Sequence, residues 1–319
     1  MAESKTAVVA ALVGNGALAV LKGTSAAFTG SAAMLAETFH SIADTANEAL
    51  LLLGIRIAAR PADDDHPFGH GKAVYFWAFV VSIMLFTLGG AWSIWEALRH
   101  YLHPVSKQAT LWAYGVLAAA FVFESISFGV ALRSLNAVRG SRPILDYWQD
   151  SRDPALLTVL LEDSAALVAL PIAASGLWLT SYTGNGVWDA AASAAIGVLL
   201  LSVAVVLAIE NHSLLIGESA PRRTEQAIRA AVVGEPGVVD IRSLHTMHLG
   251  PNQILIVLGI HFADNLSARD IEDVVARLEC RVTDALRGMT DARLIVIEPA
   301  PSAGGKQTKK FLPGKCYAR

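Results

Sequence analysis

Glu37, His40, Asp44 and Glu48 are separated by three, four and four residues. At 3.6 residues per turn that spacing puts all four on one face of a helix. His40 and Asp44 can present an imidazole nitrogen and a carboxylate oxygen to one divalent cation, or serve as a polar contact between packed helices. Their neighbours Leu35, Phe39, Ile42 and Leu50 to Leu53 are apolar. An ionisable group at the centre of a bilayer costs at least about 2.5 kcal/mol even on the most lenient insertion scale, so a polar stripe in such a setting must face partners, water or an ion. A second acidic pair, Glu162 and Asp163, enters an otherwise uncharged run. Pro154 suits the first turn of that helix, which places the pair eight and nine residues, about 12 to 14 Å, along it. Asn15 and Glu124 are further polar residues in apolar runs, read as helix-packing contacts or as part of a path for protons or cations. The segment after Ile55 carries Asp63, His66 and His70, three ligand types in a loop that Pro67 keeps from being one continuous helix.

The elements that must position these groups are mostly membrane spans. Of the 319 residues, 54% are hydrophobic and 17% charged, with a mean hydropathy of +0.46, beyond what an ordinary water-soluble domain carries. Disorder, collagen and coiled coil are excluded by the same composition. A net charge of -3 gives no basic field for nucleic acid, and two cysteines, Cys280 and Cys316, give no disulfide framework. Uncharged runs at Ala73 to Trp95, Ser164 to Trp188 and Ala190 to Ile209 are long enough to cross a bilayer, which takes roughly 20 residues. Ala7 to Leu21 reaches that length if Lys22 snorkels, Thr110 to Leu132 is interrupted only by Glu124, and Ser31 to Ile55 completes six. Arg56, Arg60 and Lys72 in one connection and Arg133, Arg139, Arg142 and Arg152 in another outnumber Lys22, Arg99 and Lys107 on the alternate side, which places both termini in the cytoplasm. Trp92, Trp95, Trp112, Trp178, Tyr182 and Trp188 fall near the outer boundary. The first apolar run lacks a small-residue cleavage site and reads as a helix, not a removed signal.

We divide the chain into a six-helix transmembrane domain over 1–210, a cytoplasmic α+β domain over 211–300 and a flexible basic tail over 301–319 with Lys306, Lys309, Lys310 and Lys315. The middle part alternates helix 222–234, strands 238–248 and 253–263, helix 267–287 and strand 291–298. Ser267 to Asp270 is a capping signal ahead of an Ile271, Val274, Val275, Leu278, Val282 and Leu286 stripe, and Gly250-Pro251 makes a hairpin turn. About 80 residues bury only a modest core, which suits a dimerising or regulatory module better than an independent catalytic pocket. His245, His248 and His261 lie on the two strands.

His40-Ser-Ile-Ala-Asp44, the string from Pro61 to Lys72 and Asp163 together resemble the cation diffusion facilitator family of proton-coupled zinc and related divalent-metal transporters. The resemblance covers nearly the whole chain and implies six helices, a ferredoxin-like cytoplasmic domain, a homodimer and export of metal in exchange for protons. It implies that His40, Asp44 and Asp163 are metal ligands, in a form associated with zinc. Where the family has a histidine or aspartate four residues before that aspartate, this chain has Val159, and Glu162 is the substitute; an oxygen-rich set of His40, Asp44, Asp163 and Glu162 moves preference toward harder ions such as manganese. Asp63, His66 and His70 match a second metal position, and Lys72 resembles a basic residue of an interlocking charge cluster between subunits, with Glu218 as its partner. The family's cytoplasmic zinc ligands are not reproduced, so we expect a metal-poor tail domain.

Protons and metal then compete for the same groups, because His40 must be neutral and the carboxylates ionised to bind metal. No cofactor is implied beyond the transported ion, Zn2+ before Mn2+. The setting expected is the inner membrane of a bacterium. The rivals are a membrane metalloenzyme, which lacks the HExxH helix of a protease, and a scaffold that keeps the fold without transporting.

Overall fold

The computed structural model describes residues 2–103, 111–139, 143, 154–251, 253–287 and 292–301. Lys107, Thr110, Arg142, Arg152, the basic tail with Lys306, Lys309, Lys310 and Lys315, and Cys316 lie outside the described residues. The chain forms two compact units, residues 1–218 with 249–251 and residues 219–248 with 252–319.

The first unit is a bundle of long helices: α1 (Ala2–Thr29), α2 (Ala32–Ala58), α3 (Ala73–Leu102), α4 (Leu111–Arg139), α5 (Pro154–Thr183) and α6 (Val187–Ile216). Among the described residues, four helices are long and apolar enough to cross a membrane, at Ala73–Leu102, Leu111–Ala137, Pro154–Thr183 and Val187–Ile216. The break between α1 and α2 is Gly30, at φ 64°. Ser31 then accepts the Met34 amide at 3.1 Å, and Asp189 of α6 accepts the Ser31 hydroxyl and the Ala33 amide, so a carboxylate from a distant helix closes the electropositive start of α2. α5 begins at Pro154, as its fixed φ favours.

The expected span Ser164 to Trp188 needs correction. The helix stops at Thr183, Gly184 turns the chain at φ 68°, and Trp188 belongs to the start of α6. An uncharged run has no internal mark at such a turn. α6 in turn continues past Ile209 through Glu210 and His212, while its Asn211 donates to the Ala78 carbonyl of α3 at 3.2 Å.

A π-helical segment, Leu85–Ala91, interrupts α3. It sits at a close approach of α3 and α6: a Cβ on Gly197 would stand 3.0 Å from the Ile94 amide nitrogen and 3.1 Å from the Gly90 carbonyl oxygen. Only glycine permits that approach. The bundle core joins Leu18, Met34, Leu85, Leu117, Leu170 and Leu200, one from each of these described helices. Outward, Trp95, Trp112, Trp178, Tyr182 and Trp188 are exposed, as an aromatic belt at a lipid interface requires.

The second unit holds α7 (Arg222–Val232), β1 (Val238–Gly250), β2 (Gln253–Phe262), α8 (Ala268–Ala285) and β3 (Ala292–Pro299). The sheet order is β1-β2-β3, with β3 parallel to β2 in a register that opposes Leu255 to Leu294 and Val257 to Val296. Ser267 and Asp270 form the anticipated capping box. Val274, Leu278, Val282 and Leu286 pack with Ile228 and Val232 of α7 against Ile254, Ile256 and Leu258.

Candidate metal centre

His40 and Asp44 are one turn apart on α2 and both buried, with Nε2 of the ring 3.5 Å from Oδ2. At that separation the contact is an ion-pair approach without hydrogen-bond geometry. Neither ring nitrogen of His40 has a hydrogen-bond partner, and Oδ1 of Asp44 has none. Buried polar atoms in native proteins are nearly always satisfied by protein, water or an ion, so three such atoms side by side mark a place for a ligand.

α5 brings Glu162 and Asp163 to the interior, not to a lipid-facing boundary: they are 5% and 7% exposed. Their separation of about 100° around the helix sends them to different neighbours. Glu162 accepts from Nδ2 of Asn47 on α2 at 2.6 Å, and Asp163 accepts from the Ser127 hydroxyl on α4 at 3.0 Å. The four expected ligands are therefore not drawn onto one point. Among the described residues, the one group of three His, Cys, Asp or Glu whose ligand atoms all lie within 4.8 Å of one another is elsewhere, at Asp63, His66 and His70. The structure unites His40 with Asp44 and holds Glu162 and Asp163 on neutral donors. Val159 sits in an apolar patch with Ala131, Leu135 and Leu160 and offers nothing to a cation.

The rest of the polar stripe has partners from α1. Asn15 donates to Oε1 of Glu48 at 2.8 Å, a contact between α1 and α2. Lys22 does not snorkel. Its ammonium is fully buried, 3.0 Å from Oε2 of Glu37 and 2.8 Å from the Ser41 hydroxyl. An inward carboxylate one turn before His40 gives it a stronger partner than a distant headgroup layer. Glu124 on α4 is 2% exposed and its Oε1 is without a hydrogen-bond partner. Six carboxylates of α2, α4 and α5 (Glu37, Asp44, Glu48, Glu124, Glu162 and Asp163) are thus buried, and among the described residues Lys22 is the one buried Lys or Arg in the chain. Asp44 interacts electrostatically with Glu162, Glu124 and Glu48. So many acids cannot all be ionised together in a medium of low polarity: cations must join them or some must hold protons.

Spacing within one helix could not reveal Lys22, Asn47, Ser41 and Ser127, since their roles depend on which helix faces which. A faint signal existed: Asn47 is seven residues past His40 and three past Asp44, on the same face.

The loop triad is differently made. Asp63 is 3.2 Å from Nδ1 of His66 and 3.5 Å from Nε2 of His70, and the two rings lie 4.2 Å apart. Nδ1 of His70 is 3.3 Å from the Pro61 carbonyl, a contact that as a donor keeps Nε2 free toward Asp63. Partial desolvation of Asp63 favours its neutral form, but the His66 amide and ring and the charge of both imidazoles outweigh it and hold the carboxyl below its ordinary range. Lys72 is the residue on which α3 begins, and Glu218 follows the end of α6. His261 approaches Arg242 at 3.4 Å and His248 is buried in the second unit.

Residues 8–216 match the family described as the cation efflux transmembrane domain. The proton-coupled zinc antiporter SLC30A9, mitochondrial, of Xenopus laevis is 33% identical over 244 residues, 76% of this chain and 44% of the relative. Metal tolerance protein C4 of Arabidopsis thaliana is 33% identical over 188 residues, 58% of this chain and 41% of the relative. This chain thus spans less than half the length of both. The cation-efflux pump FieF of Pectobacterium atrosepticum is 29% identical over 279 residues, 86% of this chain and 84% of the pump. With two thirds of its length matched in this way, the chain belongs to the cation efflux, or cation diffusion facilitator, family of membrane transporters.

Proposed function

We propose that the protein exports a divalent cation, zinc in the first instance, from the cytoplasm in exchange for protons, and that the ion is held in the membrane by His40 and Asp44 with Glu162 and Asp163. One observation carries this reading: a buried imidazole with both nitrogens unpartnered stands beside a half-unpartnered carboxylate, among six buried carboxylates of α2, α4 and α5 and, of the described residues, one buried ammonium. Imidazole and carboxylate are the donors zinc takes, and a metal ligated by two to four of them needs each deprotonated. Binding metal then expels protons, and an acidic outer face returns them and releases the metal. The names of two relatives, a zinc antiporter and a cation-efflux pump, support the direction and the ion. Glu162 and Asp163 make the donor set richer in oxygen, which favours manganese over what a histidine-rich set would allow.

In this reading α1 to α6 are six spans with both ends in the cytoplasm, the second unit is a cytoplasmic dimerisation module, and the membrane is a bacterial inner membrane. Arg56, Arg60, Lys72 and Arg139 support the orientation. The protein acts as a homodimer, with Lys72 and Glu218 in a charge interlock, and needs no cofactor. Asp63, His66 and His70 hold a second, weaker ion at the membrane surface, where three ligands and water suffice. Glu37, Glu48, Glu124 and Asn15 line the polar way between them and water.

Purified protein in liposomes loaded with a fluorescent zinc indicator tests the reading. Zinc influx should follow an imposed outward proton gradient and be accompanied by luminal acid loss. Flux that is indifferent to the gradient would refute the exchange.

A further inference from the structure

We propose that Lys22 is a built-in counter-cation that withholds Glu37 from the metal, and so sets both the ligand set and the affinity of the His40 and Asp44 site. This rests on the reading of that site given above. Glu37-x-x-His40 has the i, i+3 spacing by which a glutamate and a histidine on one helix bind the same metal in carboxylate-bridged bundles. The two residues lie three positions, about 4.5 Å of helical rise, apart and share the polar face of α2. Left to itself, Glu37 would be a further ligand or a trap for the ion beside its site.

The ammonium of Lys22 prevents this. It is wholly enclosed, and two of its three N–H groups are used, on Oε2 of Glu37 at 3.0 Å and on the hydroxyl of Ser41 at 2.8 Å. The second bond holds the ammonium against α2 one residue past His40, and the charge interacts electrostatically with His40 as well as with Glu37. Its field also reaches Asp44 and Glu124. A fixed unit charge within a helical turn or two repels a dication strongly where water is scarce. The ammonium therefore occupies one negative ligand and cancels that ligand's attraction for the dication, two effects in the same direction. A transporter benefits, because a site that binds too tightly does not release.

The test uses the full-length protein carrying D63A, H66A and H70A, so that the loop triad contributes no binding. Zinc dissociation constants are measured in detergent by competition with a chelating dye, and zinc flux in liposomes. Lys22→Met should tighten binding at least tenfold and slow turnover. The double variant Lys22→Met with Glu37→Leu, which leaves no unpaired buried charge, should return the dissociation constant to within threefold of the parent. Glu37→Gln, which keeps the ammonium and removes its anion, should weaken binding at least tenfold. This third variant decides the matter if Lys22→Met does not accumulate in folded form. A folded Lys22→Met protein with parental affinity, an equal tightening in the double variant, or unchanged affinity in Glu37→Gln would overturn the inference. His40→Ala with Asp44→Ala separates the two levels: if zinc binding persists at parental strength, the site assignment itself has failed and the inference falls with it. If binding is lost there while Lys22→Met binds as the parent does, only the inference has failed.

Discussion

Asp63, His66 and His70 already face one another in a partly exposed loop, whereas His40 and Asp44, enclosed by helices, stand together while Glu162 and Asp163 each keep a partner of their own. The contrast follows from dielectric environment. In a loop, the repulsion and desolvation of ligands are small and a carboxylate can sit beside two imidazoles at little cost. Inside the bundle, carboxylates repel over longer distances, and the two of α5 are held by neutral donors: Glu162 by Asn47, Asp163 by Ser127. In the proposed site an ion that draws these groups together must shift those hydrogen bonds, which would tie occupancy to the relative position of α2, α4 and α5. A preassembled loop set has no such linkage.

That contrast breaks most visibly at Asp44. Asp44→Ala or His40→Ala should reduce zinc flux in liposomes by about a hundredfold or more, beyond the 10- to 100-fold that losing an outer partner of a metal ligand costs. Glu162→Gln and Asp163→Asn should fall between about 10-fold and 100-fold. The two should differ in metal preference, with the glutamine variant losing manganese relative to zinc in competition binding. Asn47→Ala and Ser127→Ala, which free a carboxylate from its restraint, should change flux by about tenfold and shift its pH dependence, since the freed group competes differently for protons. The triple D63A, H66A, H70A variant should cost flux about fivefold at most, the equivalent of about 1 kcal/mol for surface-exposed charges, while losing one weakly held zinc per chain in equilibrium dialysis. In the parent, that loop zinc should dissociate as the medium is acidified, because protons and metal compete for the same ligand atoms.

The smallest effect lies in the second unit, where a buried charge is fully paired. Glu235 accepts from Nε of Arg277 and from Arg281, both at 2.7 Å, and these bonds hold its carboxyl below the ordinary value. A depressed folded-state value contributes stability above the unfolded value and loses it as pH falls through the folded one. Glu235→Gln should therefore lower the melting temperature of the protein at neutral pH, and the difference from the parent should vanish in acid. Zinc flux should not change.

The order of elements in the second unit was readable because each carries its own mark: Ser267 and Asp270 as a capping box, the four-residue stripe from Val274 to Leu286, and the turn at Pro251. The pairing of His40 with Asp44 was equally local, fixed by the helical repeat. What the sequence hid is relational. Lys22 looked like a residue reaching for the membrane surface because nothing along α1 says that Glu37 will lie opposite it. The division of Glu162 from Asp163 depends on which helices flank α5, and the turn at Gly184 interrupts a run in which hydropathy does not change.

The central claim, that a divalent ion is held on the imidazole of His40 and the carboxylate of Asp44, is tested most directly by zinc-edge X-ray absorption on protein lacking the loop triad. The account predicts one imidazole nitrogen with carboxylate oxygens at about 2.0 to 2.2 Å, and loss of the imidazole scattering in His40→Ala. A spectrum that is the same with and without His40 would contradict it.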